Sequence, residues 1–95
     1  MRNPEPRPAL AQLVSDALRE HDLSLRTFAD RAIDPETGYR LSHSLANKIR
    51  TGRSFRPTPR VMRAIAAGAR KPLAVVQSAA AAQFLGMEIH RGDAA

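Results

Sequence analysis

The chain has 95 residues, 43% hydrophobic and 25% charged, enough for one folded domain and too few for a catalytic unit joined to a regulatory one. It has no cysteine, which excludes disulfide scaffolds, thiolate zinc sites and cysteine nucleophiles; it also lacks an apolar run near the roughly 18 residues of a membrane span and a signal-peptide core in MRNPEPRPAL, so a soluble cytoplasmic protein is expected. The net charge of +6 comes from 15 basic and 9 acidic residues, and a positive balance of this size points to a phosphate-bearing partner.

Residues 1–7 carry Pro4 and Pro6 among mixed charges and read as a flexible arm. Pro8 suits a first helical position, where its missing N–H costs nothing. Leu10, Leu13, Val14, Ala17 and Leu18 then recur at the spacing of one apolar helix face, which predicts a first helix over 8–21. Ser24 is placed to cap a second helix running to Ala32, with Phe28, Ala29 and Ala32 inward and Leu23 stapled against Phe28. Pro35 and Gly38 punctuate the stretch 33–40 as a turn.

Ser42 caps a third helix whose inward residues are Leu45, Ala46 and Ile49 and whose stop is Gly52. An Arg-, Ser- and Pro-bearing loop follows. Thr58 caps the fourth helix, with Pro59 at its first position, Val61, Ile65 and Ala66 inward, and Gly68 at or near its end. Pro72 opens a fifth helix that Gly86 is expected to stop, leaving 87–95 as a tail after a domain over 8–86. No segment alternates with period two, so the expected class is all-α, five short helices crossing steeply around one core.

Charge is not spread evenly along the chain. Residues 1–36 hold five basic and seven acidic residues. Residues 37–87 hold Arg40, Lys48, Arg50, Arg53, Arg56, Arg60, Arg63, Arg70 and Lys71 without a single acid. The aromatics are only Phe28, Tyr39, Phe55 and Phe84, too few and too scattered for the stacking platforms that single-stranded nucleic acid needs. A duplex, read through one helix in a major groove about 12 Å wide, fits better.

The segment LSHSLANKIRTG, residues 41–52, resembles the recognition helix of Xre/λ-repressor-like (Cro/C1-type) helix-turn-helix regulators: a capping serine, two polar residues, a late aliphatic residue and a terminal glycine. LSLRTFADRA, residues 23–32, is similar to the second helix of that family, and PTPRVMRAIA to the fourth. The resemblance implies a five-helix λ-repressor-like domain that binds double-stranded DNA as a homodimer. It further implies a bacterial or phage-type repressor acting by operator occlusion. There are two departures. Leu25 and Arg26 stand where the family often has a glutamine that clamps a phosphate, which passes that contact to Arg26. The connection 33–41 has nine residues where a tight turn is usual.

On this reading His43, Ser44, Asn47 and Lys48 face base edges, and Arg26, Arg50, Arg53, Arg56 and Arg60 face phosphates. The fifth helix is apolar on more than one side. It either completes the core or forms a dimer seam through Val76, Ala80, Phe84 and Leu85. The alternative function is an antitoxin or adaptor of the same fold whose main partner is another protein. An enzyme is not expected. His21, His43 and His90 lie far apart, with no carboxylate at metal-ligand spacing. Ser15, Asp16 and His21 lie on or beside one short structural helix, and Asp34-Pro35-Glu36 is a turn rather than an acid–base pair. No cofactor, metal or small-molecule ligand is implied.

Overall fold

The computed structural model describes residues 8–94, with side chains described through Phe84. The arm over 1–7 and the side chain of Leu85 lie outside that description. Five helices follow in order: α1 (Ala9–Glu20), α2 (Leu25–Arg31), α3 (His43–Arg50), α4 (Pro59–Ala69) and α5 (Leu73–Ala94). Among the described residues there is no strand. The chain is all-α, and the only ladder element is an isolated antiparallel bridge between Ile33 and Arg40.

The starts of the inner helices are local chemistry. Ser24, Ser42 and Thr58 each sit in extended backbone and accept a hydrogen bond from the amide three residues on: Thr27, Leu45 and Val61. The ends of α1, α3 and α4 share one geometry. A left-handed residue follows the helix, and the next amide reaches back five residues: Leu23 to Leu18, Arg53 to Lys48, Lys71 to Ala66. Gly52, at φ +78°, occupies that left-handed position after α3 as expected. In α1 and α4 the position falls to Asp22 and Arg70.

Gly68 lies near the end of α4, as expected, but does not cap it. It lies inside the helix and buried, and a Cβ there would stand 2.9 Å from both Phe28 and Ala32. Its role is to let α4 approach α2. Gly86 likewise does not stop α5, which continues to Ala94. Glycine inside a helix costs about 1 kcal/mol relative to alanine but leaves its hydrogen bond intact, so it ends a helix only where the chain also turns left-handed.

α1 packs on α3, α4 and α5; α2 packs on α3 and α4; α4 packs on α5. The buried core is Leu10, Val14, Ala17, Phe28, Ala29, Ala32, Leu41, Ala46, Ile49, Val61, Ala64, Ile65, Ala69, Val76 and Ala80. Two polar side chains, Asp34 and Gln83, are buried with it. Gln83 of α5 is buried, and its Oε1 accepts the Leu10 amide at 2.9 Å. Pro8, the residue before α1, makes no side-chain cap, so Gln83 satisfies a first-turn amide that has no intrahelical partner. Gly68→Ala should lower stability by about 1–2 kcal/mol despite alanine's better helix propensity, because it overfills the α2–α4 contact. A downward shift of the thermal midpoint checks this, and an unchanged or raised midpoint contradicts it.

Candidate nucleic-acid interface

The caps and core contacts of α3 fix its orientation. Ala46 and Ile49 are buried and Leu45 is half-buried, so His43, Ser44, Asn47 and Lys48 are left exposed on the outer side. All four residues expected at base edges thus share one solvent-facing surface. His43 Nε2 lies 3.1 Å from Asp30 Oδ1 on α2, which ties the leading end of α3 to its neighbour. Asn47 Oδ1 accepts from Arg50 Nη2 at 3.3 Å, and the Thr51 hydroxyl donates to the Asn47 carbonyl at 2.7 Å.

The candidate phosphate contacts are also placed outward. Arg26 is exposed in the first turn of α2 and Arg50 at the end of α3. Arg53 and Arg56 are exposed on the connection from α3 to α4, on either side of half-buried Phe55. The Phe55 ring meets Phe84 of α5 edge to face, with centroids 5.5 Å apart. An aromatic anchor in the middle of the connection turns its neighbouring arginines to solvent. Arg60, in the first turn of α4, lies over the Tyr39 ring at 4.4 Å from its centroid.

Of the residues offered for a dimer seam on α5, three serve their own chain, and the side chain of Leu85 lies outside the described residues. Val76 and Ala80 are buried in the core of their own chain, and Phe84 packs on Phe55, because the inward stripe of α5 runs through these residues and Gln83. Among the described residues, the large apolar side chains that α5 leaves exposed are Leu73 and Val75.

The ion pairs sort the charges. Asp16 pairs with Arg19, Glu20 with Lys71, and Asp34 and Glu36 with Arg63. Among the described residues Arg26, Arg40, Lys48, Arg50, Arg53, Arg56 and Arg60 have no carboxylate partner, and most of them follow one another from the start of α3 to the start of α4. Their field is uncompensated, as a phosphate-facing surface requires.

The connection between α2 and α3 is a built hairpin. The Asp34 amide donates to the Tyr39 carbonyl at 2.7 Å, and the Leu41 amide to the Ala32 carbonyl at 2.9 Å. Asp34 is fully buried. Its carboxylate accepts from the Glu36 amide, the Thr37 hydroxyl and both Nε and Nη2 of Arg63, the last two at 2.8 and 3.1 Å. The Arg63 guanidinium, more than the Thr37 and Glu36 donors, holds the Asp34 carboxyl well below the usual carboxylate range, against the opposing effect of burial. Asp34, Tyr39, Phe55 and Arg63 are the site residues that sequence reasoning missed. The Asp-x-Glu-Thr spacing of an Asx turn was a usable signal for the first of them alone.

Two outcomes follow. Asp34 has a lower pKa folded than unfolded, so the unfolded chain binds more protons in that range. Its contribution to stability is complete above an ordinary carboxylate pKa, about 4, and is lost as pH falls below it. Asp34→Asn should therefore flatten the acid limb of the stability–pH curve measured by thermal melts, and an equally steep limb contradicts this. Phe84→Ala should cost about 1–2 kcal/mol of stability by releasing Phe55, with the oligomeric state by sedimentation unchanged.

No group of His, Asp and Glu among the described residues could hold a metal ion, and no described helix is long and apolar enough to cross a membrane. No family model, curated protein or solved structure matches this chain.

Proposed function

We propose that the chain is a helix-turn-helix protein of the Xre/λ-repressor-like kind that reads double-stranded DNA. On this reading it is a bacterial or phage-type transcriptional repressor that occludes its operator as a homodimer and catalyses nothing. One observation carries the reading: α3 exposes His43, Ser44, Asn47 and Lys48 together, and the arginines beside it have no carboxylate partner among the described residues. A helix with that face fits a major groove, its leading residues reaching deepest. Arg26, Arg50, Arg53, Arg56 and Arg60 then position it on the backbone. In a two-fold dimer the two α3 helices stand about 34 Å apart, one turn of duplex.

A second reading, the same fold with a protein as main partner, draws support from Leu73 and Val75, 36% and 45% exposed at the start of α5. Salt separates the two. Duplex binding through about five phosphates should fall with a log–log slope of about −4 to −5.

Base-by-base affinity profiles on a duplex selected from a random pool test the first reading. Ser44→Ala and Lys48→Ala should each change the preferred base at particular positions by about 1–3 kcal/mol and barely alter binding to unrelated duplexes. Arg50→Ala, Arg53→Ala and Arg56→Ala should weaken binding to all duplexes alike, each making the salt slope shallower by about 1. Profiles identical to the parent's in the Ser44 and Lys48 variants mean that α3 is not the reading element.

A further inference from the structure

We propose that the hairpin between α2 and α3 is a second duplex-contacting element, in which Arg40 and a Tyr39-supported Arg60 bind DNA phosphates beside the leading end of α3. This inference rests on the duplex-binding reading above and adds to it a contact made by the long connection between the two helices of the motif, where a tight turn is usual.

The hairpin is rigid where it needs to be. Its two ends are joined by the Ile33–Arg40 bridge, its turn is closed by the Gly38 amide on the Asp34 carbonyl at 2.8 Å, and the Tyr39 amide donates to the Thr37 hydroxyl. Arg63 clamps it to α4 through Asp34 and Glu36. That clamp has an electrostatic consequence. The two carboxylates of the hairpin share one guanidinium, which offsets one of their two charges and weakens their opposition to an approaching phosphate.

The two remaining arginines are exposed and have no carboxylate partner among the described residues. Arg40 lies two residues before the Ser42 cap of α3, and Arg60 two residues after the Thr58 cap of α4. The hairpin runs from the end of α2 to the N-terminal end of α3, and the Arg60–Tyr39 contact brings the N-terminal end of α4 beside it, so first-turn amides of α3 and α4 add positive potential near the two side chains. Tyr39 is half-buried and its ring supports the Arg60 guanidinium from one face. A stacked guanidinium keeps its N–H edge free, and that edge is what grips a phosphate bidentately. The ring thus holds a long side chain extended before any ligand arrives. Tyr39 acts as a positioning residue and Arg40 and Arg60 as contacts.

Fluorescence anisotropy of a labelled short duplex of mixed sequence, titrated with the full chain at several salt concentrations, tests the inference. Arg40→Ala should make the salt slope shallower by about 1. Tyr39→Leu should weaken binding about two- to five-fold, the size of an exposed cation–π contact, and Tyr39→Phe should bind as the parent does. In an Arg60→Ala background, Tyr39→Leu should cause no further loss, which a merely structural role for Tyr39 would not produce. A parental slope in Arg40→Ala, or an equal loss from Tyr39→Leu with and without Arg60, overturns the proposal; the Arg40 variant decides alone if Tyr39→Leu fails to fold by circular dichroism. Arg53→Ala distinguishes the two levels. If it makes the slope shallower while the hairpin variants do not, the duplex reading stands and the hairpin inference falls. If the unaltered chain does not bind the duplex, both fall.

Discussion

A carboxylate withdrawn completely from water holds this domain's central connection in place. Asp34 is tolerable in the interior only because Arg63 meets it with two parallel hydrogen bonds while Thr37 and Glu36 supply the others. Removing Arg63 would leave the buried Asp34 charge unmatched, the condition under which such pairs are most damaging to lose. The pair fixes a nine-residue link against α4 and delivers Leu41 into the core. Immediately afterwards Ser42 starts α3. The orientation of the exposed face of α3 thus traces back to a contact on the far side of the hairpin.

The same pair shapes the electrostatics. Asp16 and Glu20 of α1 pair with Arg19 and Lys71, Asp34 and Glu36 share Arg63, and Asp30 of α2 lies against His43. The cations left unmatched gather along α3 and its following connection. Fold and charge pattern are therefore a single design: the acids that brace the helices are also the ones kept from opposing a polyanion.

Interactions within a few residues were legible in the sequence. The caps Ser24, Ser42 and Thr58, the left-handed Gly52 and the inward stripe of α3 all follow from short-range chemistry, and all occur where the spacing placed them. Glycine marked the end of α4 to within a residue but not the packing reason for it, and it misled at α5. Gly68 serves a contact with α2, and Gly86 lies within a continuing helix. α5 misled most, because its alanines blur the difference between faces and its inward stripe of Val76, Ala80 and Gln83 includes a polar residue. The Asp34–Arg63 pair joins residues 29 apart, and no local pattern announces it. Of the candidate interface, the exposure of one face of α3 and of the flanking arginines was legible, but the aromatic supports Tyr39 and Phe55 were not, since their partners come from other helices.

The bond from the Leu10 amide to Gln83 spans 73 residues, almost the whole described chain. First-turn amides usually exchange their hydrogens freely with solvent because nothing in the helix holds them. Here the protection of one such amide is set by the docking of the last helix on the first. Contacts of such long sequence separation must close a large loop before they return any stabilisation, which places this one among the late events of folding. The exchange rate of a single backbone proton near one end of the chain thus becomes a clock for opening at the other.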